Sequence, residues 1–408
     1  MRYNDRSGLP NTLSLHMPDP PTKPTPKPGQ GSLDPRSSVS ASASGLGSVT
    51  LSGGKSRKKD RQQFAADELA IVLSHYKLGV IDKIKEFPRG SRKAPKLLVK
   101  AQRGPFLLKR RALGKDEPEK VAFCHGIQLH LASRQFPLPH LIGTRNDNNS
   151  MLRLGEYTYE LFEYIQGTPY DQSLEATQDS GKILALMHKL LLDYTYDPAV
   201  VVGSSYHAAK SVYNACRTIP TTLARRNPNQ SGEQARTNAR LVKELQAYYD
   251  DAVQRVEQAG MLDWPRQIVH SDWHPGNMLF RGQRVVAVID YDTARVHQRI
   301  IDIANGALQF SILGGGEDPL TWPEGIDLAR FKRFLMGYDS VPDVVLTQAE
   351  LKVVPWLMIQ ALIAEAVIPV AKTGMFARME GAVFLEMVRR KCVWMLEHSP
   401  KLVAMLDG

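Results

Sequence analysis

The sequence contains few cysteines, and those it has are far apart. Cys124, Cys216 and Cys392 make an odd number, and no two of them form a C-x-x-C pair. Neither a disulfide framework nor a cysteine-based zinc site is indicated, which favours a reducing, cytoplasmic location. No apolar run follows Arg2 and Arg6, so we expect no signal peptide at the N-terminus.

An uninterrupted apolar run of membrane-spanning length is also missing. The nearest approach, "VVPWLMIQALIAEAVIPVA" at residues 353–371, is broken by Pro355, Gln360, Glu365 and Pro369. A glutamate in the middle of a bilayer is costly, so this composition favours a buried core helix. We therefore expect no membrane span.

The excess of positive charge is concentrated at one end of the chain. The 408 residues carry a net charge of +10, and residues 1–63 account for +6 of it, with ten basic and four acidic side chains. The remaining 345 residues carry only +4. A basic tail is usually a solvated tail, so a nucleic-acid partner is not indicated.

The same end of the chain has little apolar content. Stretches such as "PDPPTKPTPKPG" and "SSVSASASGLGS" are rich in Pro, Ser, Gly and Lys. Such a segment buries too little apolar surface to offset the entropy lost on ordering. We therefore predict a disordered tail over residues 1–62.

Deleting residues 1–60 is expected to leave activity and melting temperature almost unchanged, because the tail has too little apolar surface to join a core. A thermal melt and an activity assay of the shortened chain test this expectation. A large loss of stability on deletion would mean that the tail docks on the folded part.

Two parts with different patterns follow the tail. Residues 63–167 contain a helical pattern ending at Gly79, a second helical pattern at 117–135, and the strand candidates "VIDKIKEF", "KLLVKAQ", "PFLLKRRAL", "HLIGTR" and "YTYELFEYI". Residues 168–408 are mostly helical, with a polar loop at "PTTLARRNPNQSGEQAR" and a hairpin formed by "MLF" and "VVAVID". This order predicts an α+β fold with a small β-rich lobe and a larger helical lobe.

The stretch "VHSDWHPGNMLF", residues 269–280, concentrates polar side chains before the hairpin. His270 and His274 have the spacing of two zinc ligands on a helix, but Pro275 follows at once and no glutamate follows His270. A zinc hydrolase is therefore a poor interpretation. A plain polar turn remains an alternative.

The spacing His270-x-Asp272-x-x-x-x-Asn277, followed by Asp290 after the hairpin, is typical of phosphotransferases. A carboxylate such as Asp272 orients an acceptor hydroxyl and receives its proton. Asn277 and Asp290 supply the oxygen ligands that Mg²⁺ prefers. The spacing from His270 to Asn277 and the aspartate after the hairpin are each weak evidence for a phosphotransferase. Together and in this order they are strong evidence.

With these motifs and the supporting "VIDYDTARVHQRIIDIA", "GKILALMHKLL" and "FLLKRRA", the chain resembles the aminoglycoside phosphotransferase-like family over about residues 64–400. That family includes homoserine, choline and spore-coat kinase-like members. The resemblance implies a protein-kinase-like bilobal fold and the use of ATP and Mg²⁺. The resemblance also implies that Lys109 contacts the phosphates of the nucleotide and that a loop with Gly90 and Ser91 covers those phosphates. It implies that backbone groups of Glu163 and Ile165 contact adenine.

The sequence departs from kinases at the helix that should pair with Lys109. Glu117 and Glu119 stand only at its start, and His125 and Gln128 occupy its middle. Either Glu119 bends in, or the lysine is held another way. Three further residues are given structural roles: His188 as a core histidine, Asp302 as an anchor, and His274 as a turn-stabilising or acceptor-side residue.

The expected function is phosphorylation of a hydroxyl on a small aminoglycoside-, homoserine- or choline-like acceptor; the alternative is a pseudokinase that binds nucleotide or protein. Four carboxylates in "GGGEDPLTWPEGID" suggest an amine-bearing acceptor, namely Glu317, Asp318, Glu324 and Asp327. The competing interpretation is that Asp327 caps the helix that follows it.

Overall fold

The computed structural model describes residues 61–197 and 205–405, so nearly all of the expected tail lies outside the described residues. The N-terminal part is an antiparallel sheet with strand order β1-β2-β3-β5-β4. Its elements are α1 (Ala66–Ser74), β1 (Ile81–Glu86), β2 (Lys96–Ala101), β3 (Gly104–Arg110), α2 (Pro118–Ser133), β4 (Leu152–Leu154) and β5 (Tyr157–Glu163).

The C-terminal part is mainly helical and includes the short antiparallel strand pairs β6–β9, β7–β8 and β10–β11. Its helices are α3 (Leu174–Leu190), α4 (Lys210–Arg226), α5 (Gly232–Gln258), α6 (Ile300–Ser311), α7 (Leu328–Asp339), α8 (Gln348–Thr373) and α9 (Gly381–Ala404). Its strands are β6 (Arg266–Val269), β7 (Met278–Arg281), β8 (Arg284–Val288), β9 (Arg295–Gln298), β10 (Met375–Phe376) and β11 (Met379–Glu380).

The two parts have separate apolar cores, and α2 belongs to the larger one. Alternation along β2, β3 and β5 buries Val99, Leu108 and Leu161 in a small core beside the sheet. On α2, the buried Ile127 and Leu131 pack instead into the large core of the helical part. The helix is thereby held against the C-terminal part while it flanks the sheet.

Helix α8 is long and apolar enough, by length and composition alone, to cross a membrane. About 78% of its apolar window is buried inside the fold, where it packs against α4, α5, α6 and α9. Pro355 and Pro369 lie within the helix without ending it. The core-helix interpretation fits this placement.

Two of the predicted local structures differ from those observed. "HLIGTR" contributes only an isolated bridge between Leu141 and Phe162 and is not a strand. The polar loop predicted over residues 220–236 is shorter than expected and covers only 227–231, because α4 continues to Arg226 and α5 begins at Gly232. Ile219 and Leu223 lie one turn apart on the buried face, and this packing outweighs the hydrogen bond that Pro220 removes.

The division proposed between residues 167 and 168 falls in the segment joining β5 to α3. Thr168 already belongs to the helical side, since its N–H donates to Phe280 O at 2.8 Å and its carbonyl accepts from Phe280 N at 2.9 Å. The lobe boundaries remain a proposal. The architecture itself, a small sheet-containing lobe followed by a larger helical lobe, is the α+β arrangement expected from the sequence.

Candidate active site

The loop between β6 and β7 carries the predicted acid–base group. Asp272 Oδ2 accepts a 2.9 Å hydrogen bond from Asn277 Nδ2, which also donates to the Asp272 carbonyl at 3.0 Å. His274 Nε2 lies 3.6 Å from Asp272 Oδ2, and His274 Nδ1 accepts from Gly276 N at 3.0 Å. Burial alone would raise the pKa of Asp272, but hydrogen bonding to His274 and Asn277 lowers it overall. Asp272 is therefore a carboxylate at neutral pH, as a proton acceptor must be.

Asp302, which is fully buried, holds the backbone of this loop in place. Its carboxylate accepts the backbone N–H of His270 at 2.6 Å and of Ser271 at 2.7 Å. His188 Nε2 lies 3.3 Å from the same carboxylate, and burial, the largest influence, lowers the pKa of His188. A neutral imidazole donating to Asp302 fits these contacts, so both residues have the structural roles predicted for them.

The two predicted metal ligands meet at the base of the β7–β8 hairpin. Ile289 N donates to Asn277 O at 2.9 Å, which brings Asp290, the next residue, beside Asn277. Asp290 has a left-handed backbone (φ 66°) and is exposed, and its side chain makes no hydrogen bond or ion pair with the described residues. Because Asn277 Nδ2 is engaged with Asp272, its Oδ1 is the atom left to bind a cation. An amide oxygen beside an unpaired carboxylate fits a hard divalent ion.

The zinc interpretation gains no support from the geometry. Among the described residues, no group of three or more His, Cys, Asp or Glu side chains is arranged to hold a metal ion. His270 is 1% exposed, and its Nε2 lies 3.2 Å from the carbonyl of Ile289. That ring is therefore part of the packing beneath the loop.

Lys109 is held by a carboxylate on the neighbouring strand. In the register of β3 and β5 it lies directly opposite Glu160, and Nζ is 3.3 Å from Glu160 Oε2. Nζ is also 3.1 Å from Asp292 Oδ2, and Arg111 binds both carboxylates. Burial alone would lower the pKa of Lys109, but Glu160 and Asp292 raise it well above its ordinary range. The lysine is a fixed cation facing the interface between the lobes.

Helix α2 contributes a histidine where kinases have a glutamate. Glu117 and Glu119 are exposed, so the idea that Glu119 bends in is wrong. His125 Nε2 instead lies 2.8 Å from Glu160 Oε1, and its Nδ1 lies 2.8 Å from Ser150 Oγ. The lysine is thus held another way: the strand supplies the carboxylate, and the helix supplies a side chain that orients it.

Replacing Glu160 by glutamine is expected to raise the KM for ATP about tenfold, the effect of losing one charge-assisted hydrogen bond of about 1.5 kcal/mol. Moving the carboxylate to the helix in an E160Q/H125E double variant is expected to recover part of that loss, since the carboxylate introduced on α2 would face the same lysine. Titration with a non-hydrolysable ATP analogue gives the affinities, and melting temperatures serve as the folding control. Unchanged nucleotide affinity in E160Q would show that Lys109 does not depend on Glu160.

A second lysine, Lys96, lies beside Lys109 on the same face of the sheet, and the sequence did not predict this. Lys96 lies opposite Lys109 in the β2–β3 register, so Lys96, Lys109 and Glu160 cross three strands on one face. Burial, followed by the charge of Lys109, lowers the pKa of Lys96, and Asp290 partly compensates. Two adjacent cations on this face suit an oligophosphate. The signal was present as an alternation in "KLLVKAQ", but only strand register shows that the lysines are neighbours.

The structure places the remaining predicted nucleotide contacts around the same face. The β1–β2 loop brings Gly90 (φ 82°) against Lys96 Nζ, which lies 3.0 Å from where a Cβ would be. Ser91 Oγ accepts from Lys93 N at 3.2 Å. At the end of β5, the N–H of Glu163 donates to His140 O at 2.8 Å, so only its carbonyl remains for a base.

The N–H of Ile165, two residues further along, makes no hydrogen bond with the described residues. A free carbonyl at Glu163 and a free N–H at Ile165 form the donor and acceptor pair that the edge of adenine requires. The assignment of these two residues to adenine stays a prediction.

Comparison with known proteins shows which proteins this chain is similar to. Over 192 residues the chain is 28% identical to the homoserine kinase of Zymomonas mobilis, covering 46% of this chain and 52% of that protein, so the match spans about half of the relative. Over 286 residues it is 24% identical to the homoserine kinase of Beijerinckia indica, covering 69% of this chain and 78% of that protein.

Among solved structures, an amicoumacin kinase in complex with AMP-PNP, Ca²⁺ and amicoumacin superposes with a TM-score of 0.58 at 11% identity. The match covers 81% of this chain and 93% of that one, and it establishes the kinase-like bilobal fold. The sequence profile of the phosphotransferase enzyme family (APH) matches residues 83–330. This chain belongs to that family.

Proposed function

We propose that the protein is an ATP- and Mg²⁺-dependent phosphotransferase that phosphorylates a hydroxyl group of a small molecule. The observation that carries the proposal is the convergence of Asp272, Asn277 and Asp290 at one hairpin base, with Lys109 on the lobe that faces it. Each of these residue types has a separate task in phosphoryl transfer.

The roles follow from the chemistry of each side chain. Asp272 orients the acceptor hydroxyl and takes its proton as the new O–P bond forms and the bond between the β- and γ-phosphates breaks, releasing ADP. Asn277 Oδ1 and the Asp290 carboxylate would hold Mg²⁺, which supplies charge neutralisation at the phosphates. Lys109 would contact the α- and β-phosphates, with Glu160 keeping its ammonium in place.

The first acceptor to test is homoserine. Two homoserine kinases are among the relatives of this chain, and the longer match covers 78% of its relative. We also propose a cytoplasmic location, because all three cysteines are free and buried, as suits a reducing compartment.

The experiment is an ATP-consumption screen over hydroxyl compounds: homoserine, choline, ethanolamine, aminoglycosides and simple sugars. Activity with one acceptor that disappears on chelation of Mg²⁺ is the expected result. Nucleotide binding without turnover of any compound would favour the alternative, a pseudokinase. An Asp272→Asn control separates phosphoryl transfer from contaminating ATPase activity.

A further inference from the structure

Helix α6 lies directly behind the catalytic loop. Asn305 Nδ2 donates to the carbonyl of Trp273, the residue after Asp272, at 3.3 Å. A Cβ at Gly306 would lie 3.0 Å from the Trp273 ring, so the helix and the loop are in close contact there. Gln309 is four residues beyond Asn305, on the same face and about 6 Å further along the axis.

Gln309 is joined to a glutamate from the adjacent helix α8. Its Nε2 donates to Glu365 Oε1 at 2.6 Å. The other two oxygens of this pair, Glu365 Oε2 and Gln309 Oε1, are buried and have no hydrogen-bond partner among the described residues. Buried oxygens without donors are costly, and each such atom in a native protein needs a reason. Here the two belong to side chains that are hydrogen-bonded to each other across the contact between α6 and α8.

Glu365 lies near enough to the proposed site for the charged groups there to act on it. The charges of His274 and Asp272 both act on Glu365, and the Glu365 charge in turn acts on Tyr206. Burial, the largest influence, raises the pKa of Glu365 to about 7. At neutral pH the carboxyl is therefore partly ionised, and a bound cationic ligand would favour the ionised form.

We propose that Glu365 and Gln309 bind the primary ammonium group of the acceptor, which makes the acceptor a short amino alcohol or hydroxy amino acid. This inference rests on the proposed function. An ammonium has three N–H donors and no acceptor, which matches two unfilled oxygens and a negative charge. A sugar hydroxyl has one donor and would leave the carboxylate charge unpaired. The spacing of one helical turn from the catalytic loop lets a short molecule reach Asp272 with its hydroxyl.

Three of the four carboxylates in the acidic segment suggested by the sequence have other partners, and the fourth, Glu317, is exposed. Asp327 accepts from Arg330 N at 3.0 Å and caps α7, as the competing interpretation held. Asp318 caps a short turn by accepting from Leu320 N, and Glu324 binds Arg390. Glu365, some forty residues further on, is instead a buried carboxylate with an oxygen that has no partner among the described residues.

The test compares homoserine with 4-hydroxybutyrate, which has the same hydroxyl chain without the amine, within a panel that also contains ethanolamine. In the wild-type protein the amine-bearing compounds are expected to be preferred. Glu365→Gln is expected to raise their KM at least about tenfold while the KM for ATP stays unchanged. Glu350→Gln is the matched control, since Glu350 lies on the same helix but binds Arg299. A preferred acceptor without an amine, or an unchanged acceptor KM in Glu365→Gln, would overturn the proposal.

Thermal shifts of the intact protein with the same compounds separate the subsite from the phosphotransferase activity. Stabilisation by an amine that is lost in Glu365→Gln, without turnover, supports the subsite and contradicts the proposed function. If no amine in the panel gives a Glu365-dependent shift, the subsite is rejected.

A second measurement needs no acceptor. A raised pKa costs stability once the carboxyl ionises, so Glu365→Gln should raise the melting temperature above pH 7 and lose this effect as pH falls toward the ordinary value of 4.5. Burial is the largest influence on the pKa of Glu350 and would raise it, but Arg299 outweighs burial and the pKa is lowered overall. Glu350→Gln should therefore destabilise the folded protein at neutral pH. A lower melting temperature for Glu365→Gln at pH 8 would show that Glu365 has a partner within the protein, against the proposal.

Discussion

Replacing Asp272 by asparagine is expected to reduce phosphoryl transfer by on the order of a hundredfold or more, because both proton acceptance and hydroxyl orientation are lost. The hydrogen bond with Asn277 can persist, since an amide oxygen still accepts from Nδ2. The loop should also stay in place, because Asp302 holds it through the backbone of His270 and Ser271. The variant therefore removes the chemistry and keeps the fold.

Nucleotide binding by the Asp272→Asn protein is expected to be nearly unchanged, since Lys109 and Glu160 lie on the other lobe. A non-hydrolysable ATP analogue measures this separately from turnover. Asp343→Asn is a suitable control, because Asp343 is an exposed residue whose ion pair with Lys189 is on the surface. Near-full activity in the Asp272 variant would remove the basis for the catalytic assignment.

Much of the fold was predictable because apolar periodicity decides it locally. Strand β3 around Leu108 alternates between buried and less buried residues, and the turn at Gly282 separates two apolar runs as expected. The failures occur where tertiary packing outweighs local preference. Pro220 and its polar neighbours indicate a loop, yet buried residues at helical spacing keep α4 continuous.

The grouping of the candidate site residues was predictable for a related reason, since those residues are close in sequence. His270, Asp272 and Asn277 fall within eight positions, and one hairpin brings Asp290 to them. The partner of Lys109 was not predictable, because Glu160 is 51 residues away and only strand register places it opposite the lysine.

The pairing of Gln309 with Glu365 likewise depends on how two apolar helices pack. Sequence periodicity shows which face of each helix is buried, but not which residues meet across the interface. The proposed acceptor subsite is therefore visible only in the folded chain.

Removing the carboxylate of Asp290 is expected to weaken Mg²⁺-dependent nucleotide binding roughly tenfold or more, because a hard-ion ligand is lost. The Asp290 side chain has no hydrogen-bond or ion-pair partner among the described residues, so beyond the metal Asp290→Ala should cost only the backbone strain of alanine at a left-handed position, about 1 kcal/mol. Calorimetry with a non-hydrolysable ATP analogue, with and without Mg²⁺, isolates the metal-dependent part. The difference between the two conditions should shrink in this variant.

Asp292→Ala is the matched comparison and is expected to affect the metal less. Asp292 lies past the end of β8 and is bound by Lys109 at 3.1 Å and by Arg111 at 2.8 Å. The Asp292 carboxylate is thus paired with two cations. Removing it should change the position of Lys109 and leave the proposed ligands of Mg²⁺ in place. We expect Asp292→Ala to change nucleotide affinity similarly with and without Mg²⁺. A larger metal-dependent loss in Asp292→Ala than in Asp290→Ala would reverse the ligand assignment.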